Sequence, residues 1–228
     1  MEVYIGTSGW SYAWNPKKNL NWYLENTPFN AVEVNSSFYR FPSENTIKGW
    51  GKFKDQLRFV IKVNRSITHL HKFNNLARDS WTKFFYSFEA LDSYVDFYLF
   101  QILPSMSIEY LENIIAFANF TRLGTRFALE PRRVDWFNEE IYKKLRETSI
   151  TLVSVSAPNL PENIILTTPY AYIRFHGKTE WYAYNYSKEE LYNFAQKIKN
   201  LSVQKVFIFF NNDAMLSNGI TMYNILKH

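Results

Sequence analysis

A compact (β/α)8 barrel, the TIM-barrel form of the α/β class, is the fold that this 228-residue sequence predicts, on three observations. Eight short runs rich in β-branched and aromatic residues recur along the chain. Most gaps between them are about 20–30 residues, too long for hairpins and suited to crossover helices. Polar side chains fall on one parity of several runs, towards the C-terminal ends where barrel enzymes build their sites.

The first run, 2–8 (EVYIGTS), has no basic region or long apolar stretch before it, which predicts a cytoplasmic protein without a leader peptide. The second is 31–38 (AVEVNSSF) and the third 58–64 (RFVIKVN). After the fourth, 95–103 (VDFYLFQIL), residues 107–120 have Ser107 as a cap and Tyr110, Leu111, Ile114, Ile115 and Ala118 on one helical face. After the fifth, 125–131 (TRFALEP), residues 135–147 have Asp135 as a cap and Lys143, Lys144 and Arg146 where the helix dipole favours cations. The sixth, 151–157 (TLVSVSA), leads into 158–169, twelve residues with three prolines, so the connection to strand seven lacks a full helix. The seventh, 170–176 (YAYIRFH), precedes Ser187-Lys188-Glu189-Glu190, a capping box ahead of Leu191, Phe194, Ala195 and Ile198. The eighth is 205–212 (KVFIFFNN). Without a linker or repeat, residues 1–228 read as one domain, and no run nears the roughly 18 apolar residues of a membrane span.

Composition narrows the chemistry. Zero cysteine removes disulfides, thiolate metal sites and a cysteine nucleophile. No P-loop, Rossmann fingerprint, His-Glu-x-x-His or Gly-x-Ser-x-Gly is present, which sets aside nucleoside triphosphatases, classical dehydrogenases, zincins and standard serine hydrolases. The net charge of +5 is local: Arg58, Lys62, Arg65, Lys72, Arg78 and Lys83 face only Asp79 within 58–83, and the rest of the chain balances. His69 and His71 lie in the same stretch.

Side-chain alternation places Glu33 with Asn35, Lys62 with Asn64, Arg126 with Glu130, and Arg174 with His176 on the barrel's inner face, joined by Gln101, Ser154 and Ser156. Glu33, Lys62, Glu130 and His176 are the candidate catalytic residues. A lysine in a dry barrel can serve as a Schiff-base nucleophile or base with a glutamate as proton shuttle, and two glutamates can also cleave a glycoside. The same charges equally read as a self-compensating ion network. Arg174, His176, Lys178, Asn211 and Asn212 fit an anion pocket after strands seven and eight, while Asn212 also reads as a helix cap and His176 as a locally bonded ring. No cofactor is predicted. One divalent metal on Glu33, Glu130 and His176 is the weaker reading, because the chain has only four histidines.

Aromatic residues crowd the loops at the same end: Trp10, Tyr12 and Trp14; Phe38, Tyr39 and Phe41; Trp136; Trp181, Tyr182, Tyr184 and Tyr186. Interleaved with Arg40, Arg65, Arg132 and Arg133 they suit base stacking with phosphate contact, a sugar face, or a small core roofing the barrel.

Seven segments resemble the YecE-like domain-of-unknown-function family. They are Gly6 to Tyr12, Val32 to Arg40, Phe59 to Lys62 with Thr68-His69, Gln101 before Pro104-Ser105, Ala128 to Arg132 with Trp136, Tyr172 to Gly177 with Trp181-Tyr182, and Phe209 to Asn212. They occur in family order over almost the whole chain. The resemblance implies a TIM barrel and no particular reaction. Arg133 stands where the family has His, Asp135 where Ser is common, and the loop Trp14 to Lys17 lacks the family's Gly.

The expectation is therefore a barrel that binds an anionic, phosphate-bearing or nucleic-acid-derived substrate and turns it over in a reaction of unassigned class, hydrolase or lyase. Trp10, Tyr12, Asn35, Tyr39, Arg40, His69, Gln101, Arg132, Trp136, Arg174, Trp181, Tyr182, Asn211 and Asn212 are its candidate binding residues. The partner is a small anion or single-stranded nucleic acid, with no membrane and no assigned oligomeric state. A carbohydrate-active enzyme using Glu33 and Glu130, and a non-catalytic nucleic-acid-binding or scaffold protein, are the alternatives.

Overall fold

The computed structural model describes residues 1–227. All eight predicted strands form: β1 (Glu2–Thr7), β2 (Ala31–Val34), β3 (Arg58–Lys62), β4 (Val95–Gln101), β5 (Phe127–Glu130), β6 (Thr151–Ser156), β7 (Tyr170–Phe175) and β8 (Lys205–Phe210). They run parallel in the order β1-β8-β7-β6-β5-β4-β3-β2. The helices between them are α1 (Leu20–Asn26), α2 (Ser36–Tyr39), α3 (Glu44–Gly51), α4 (Asn75–Ser87), α5 (Leu111–Thr121), α6 (Glu139–Glu147), α7 (Lys188–Lys199) and α8 (Met215–Lys227). The result is a nearly closed (β/α)8 barrel. No described helix is long and apolar enough to cross a membrane.

The seam between β1 and β2 carries one bridge of its own, Ser8 to Glu33. Side chains replace the missing ladder. Asn30 accepts from the Ile5 amide at 2.8 Å and donates to the Val3 carbonyl at 3.0 Å. The buried Tyr23 hydroxyl accepts from the Thr7 amide and donates to the Ala31 carbonyl, both at 3.0 Å. So close an approach requires Gly6, where a Cβ would lie 1.9 Å from the Ala31 carbonyl oxygen. Gly6→Ala is expected to cost about 3 kcal/mol or more, the upper end of overpacking, since the obstacle is backbone. A urea melt checks this; a loss under about 1 kcal/mol would mean the seam can open.

The core has two layers. Outside the strands, residues such as Ile61, Phe100, Phe127 and Ile173 pack under Trp81, Phe117 and Phe194 of the helices. Inside, the lower barrel is filled by Val60, Phe97, Leu99, Ala128, Val153, Tyr172 and Phe207. Phe97 stacks on Tyr172 at 5.2 Å and meets Phe207 edge-on at 5.1 Å. This aromatic plug leaves only the upper barrel for polar groups.

Several local expectations are corrected. Strand β6 turns Val153, Val155 and Ala157 inward, so Ser154 and Ser156 face out, against the helix-free connection. There the Ile165 amide donates to Ser154 at 2.8 Å and Ser156 donates to Glu162 at 2.7 Å. A chain lying flat on a strand cannot satisfy its own backbone, and outward serines supply partners. Asn138, accepting from the Ile141 amide at 3.1 Å, caps α6 in place of Asp135. Ser107 makes no side-chain cap, because a 3-10 turn over Ile108–Tyr110 precedes α5. The Ser187–Glu190 capping box forms as read. Arg126 shares the parity of Glu130 but lies at the barrel's other end, paired with Asp92.

Candidate functional site

Strand ends bring the predicted inner charges together across the barrel. Arg174, fully buried on β7, stands between the two buried carboxylates of β2 and β5. Its Nε donates to Glu33 Oε2 at 2.9 Å, Nη2 donates to Glu33 Oε1, and Nη1 donates to Glu130 Oε2. The Tyr172 hydroxyl also donates to Glu33. Glu130 Oε1 accepts from Arg132 Nη2 at 2.7 Å and from His176 Nε2 at 3.0 Å. Asn211 Nδ2 donates to His176 Nδ1 at 3.2 Å, fixing the tautomer that gives Nε2 the proton.

Burial pushes the His176 imidazolium down to about 3, helped by Arg132, so the ring is neutral. For Glu130, burial opposes ionisation, but Arg132, Arg174 and the His176 hydrogen bond hold its carboxyl well below the usual range. Two carboxylates and two guanidiniums thus compensate one another, with a neutral histidine among them.

Lys62 is left over. It ends β3 on the inner face, half-buried, with its ammonium 4.4 Å above the Phe38 ring. The network carboxylates are occupied by Arg132, Arg174 and His176, and no described carboxylate pairs with Lys62. Burial, and then the field of Arg174, lowers its ammonium from 10.5 to about 8. Beyond it, Ser66–Leu70 form a π-helical turn, a feature frequent at functional sites. This turn carries His69, which packs edge-on against the same Phe38 ring at 5.0 Å. Burial, then Lys62, holds His69 down to about 4.

Three openings ring this end of the barrel. The largest, about 500 Å³, lies among the loops after β4 to β7, with Gln101, Arg132, Arg133, Asn159, Trp181 and Tyr182 on its walls. Arg132 stacks over Trp181 at 4.4 Å and donates to Gln101 at 3.1 Å, while its Nε is buried without a partner among the described residues. A second opening, about 380 Å³, is bounded by Asn64, Arg65, Ser66, His69 and Leu70. The third, about 310 Å³, has Trp10, Tyr12, Asn35 and Tyr39 on its walls. There Asn35 donates to the Ser8 carbonyl at 3.0 Å and leaves its Oδ1 buried without a partner among the described residues.

Other predicted binding residues stand elsewhere. Trp136 is buried on the helix side, donating to the Met106 carbonyl at 2.9 Å, and pins one loop to another. Asn212 faces away from the mouth, donating to the Tyr184 carbonyl at 2.7 Å and to Asn218 at 2.8 Å. The anion pocket expected from Arg174, His176 and Lys178 does not form: the first two are sealed, and Lys178 pairs with Glu162 and Glu190, each at 3.3 Å. Arg174 also takes the space between Glu33 and Glu130 that a shared metal would need, and no described group of three or more acids or histidines forms a metal cluster. Tyr39, 68% exposed, and Arg40 form an outer rim. Tyr172, which the sequence reading left out, completes the Glu33 site; its parity with Arg174 on β7 was the available signal.

A family model described as "Protein of unknown function DUF72" matches residues 4–226. Among solved structures, a DUF72 family protein from Thermotoga maritima is 27% identical over 100% of both chains, with a TM-score of 0.83. Two structures of a DUF72 family protein from Enterococcus faecalis are 21% and 20% identical, with TM-scores of 0.84 and 0.83. They cover 99% and 100% of this chain and 96% and 98% of theirs. No curated protein matches the chain.

Proposed function

The chain belongs to the DUF72 family of proteins of unknown function, and from that premise we propose that it binds a small anionic, phosphate-bearing ligand at the C-terminal mouth of the barrel. One observation carries the reading: the buried network balances its own charges and leaves Lys62 uncompensated. A half-buried cation without a carboxylate partner is partly desolvated, and an anion in contact with it offsets that cost. The 500 Å³ opening at the same end of the barrel adds the Arg132 guanidinium and the aromatic walls of Trp181 and Tyr182.

Paired-glutamate chemistry on a sugar has less support. Both glutamates are fully buried and already accept from arginine, with Tyr172 or His176 besides, so neither is placed to exchange a proton with a ligand. Binding of a nucleic-acid strand would fall instead on the exposed rim of Tyr39 and Arg40.

Calorimetric titration with inorganic phosphate and with mononucleotides, at two salt concentrations, tests the proposal. The expected result is binding that weakens with salt, weakens again as pH rises through about 8, and falls at least about tenfold in Lys62→Met. The sign follows from the amine: above its midpoint it is neutral and no longer attracts an anion. Binding only to single strands, lost in Tyr39→Ala and retained in Lys62→Met, would move the site to the rim.

A further inference from the structure

We propose that Lys62 is a nucleophile that forms an imine with the carbonyl carbon of an anionic aldehyde or ketone. This rests on the anion-binding reading of the same mouth and adds the substrate class to it. Three features of the site support a covalent role over simple ion pairing.

The first is placement. Lys62 ends its strand on the inner face, opposite Leu99 in register, and its side chain keeps an opening to solvent. The backbone beneath is fixed, because Ser37 donates to the Lys62 carbonyl at 2.6 Å and Asn64 donates to the Ser37 carbonyl at 2.9 Å. A nucleophile is therefore presented from a rigid strand end, where barrel chemistry is positioned.

The second is freedom from competitors. A lysine kept for structure in a polar core should meet a carboxylate, yet both nearby carboxylates are held by Arg174 and Arg132. Among the described residues the amine rests on the Phe38 ring alone. The Phe38 ring favours the charged form, but desolvation and neighbouring guanidiniums favour a free amine, and burial with Arg174 brings Lys62 down to about 8.

The third is the chemistry that the surroundings permit. The amine lone pair attacks the carbonyl carbon, a C–N bond forms, the C=O π electrons move to oxygen, and one proton passes from the nitrogen to that oxygen. The nitrogen lone pair then forms the C=N bond as the C–O bond breaks, and the second nitrogen proton leaves with the hydroxyl as water, giving the imine. No oxidant or further reactant is required. Burial, then Lys62, holds His69 neutral, its Nδ1 is 2.7 Å from the Thr68 hydroxyl, and the ring lines the adjoining opening. The substrate's anionic group would meet the Arg132 guanidinium where it lines the largest opening.

The test labels the intact protein with pyridoxal 5′-phosphate or with pyridoxal, reduces with borohydride, and maps the modified peptides. The expected result is an adduct on Lys62 forming at least about tenfold faster than on any other lysine. It should form faster with the phosphorylated aldehyde, slow on addition of inorganic phosphate, and be absent in Lys62→Arg. Labelling spread over surface lysines, with Lys62 no faster than the rest, overturns the nucleophile even if phosphate still binds in the calorimeter. Selective labelling of Lys62 that is equal for both aldehydes and insensitive to phosphate keeps the nucleophile and overturns the anion site. Wild-type protein alone decides between these outcomes, so a variant that folds poorly does not blunt the test.

Discussion

Replacing Arg174 with methionine is expected to lower the unfolding free energy by about 3–5 kcal/mol, the usual cost of breaking a buried ion pair from one side. The guanidinium donates to both Glu33 and Glu130, each fully buried, and nothing else described could replace it for Glu33 except the Tyr172 hydroxyl already in use. The variant leaves two carboxylates facing each other in a dry barrel. Denaturant melts measure the loss. Converting Glu33 and Glu130 to glutamine in the same background should recover part of it, because the groups act as one unit and their effects do not add. A loss below about 1 kcal/mol for Arg174→Met would mean that water reaches the network.

Lys62→Met is expected to do the reverse, raising stability by about 1–3 kcal/mol at pH 7 while abolishing anion binding. The stability gain depends on pH in a defined direction. The Lys62 ammonium is lowered from 10.5 to about 8 by burial, then Arg174, so between those values the unfolded chain holds more protons than the folded one. Wild-type stability therefore rises as pH increases from about 8 to about 10.5, and the variant lacks that rise. Its advantage is largest below pH 8 and fades towards 10.5. A site that gains stability when its lysine is removed, and loses its ligand, is one kept for function.

Much of the fold was legible because barrel strands are marked twice, by β-branched and aromatic runs and by spacing that admits a helix. The inner face was legible wherever one parity was apolar and covered by a helix, as on β3 and β7. It failed on β6, since without a helix outside, the serines belong to the outer face and alternation alone gives no direction. Trp136 and Asn212 were misplaced for a related reason: aromatic and amide side chains in loops serve packing and loop ties as readily as ligands. The candidate charges were identified, but not which of them compensate. That depends on contacts such as Arg174 with Glu33, whose residues are 141 positions apart in sequence. Only the assembled barrel separates the paired arginines from the unpaired lysine.

The most direct measurement is the titration of the Lys62 side chain itself, followed by NMR of protein carrying labelled lysine, with and without phosphate. Lys62→Arg assigns the signal. A midpoint near 8 that moves upward when phosphate is added is the expected result, since an anion stabilises the charged form. A midpoint near 10.5 that phosphate leaves unchanged would contradict a half-buried, uncompensated cation at the mouth of this barrel.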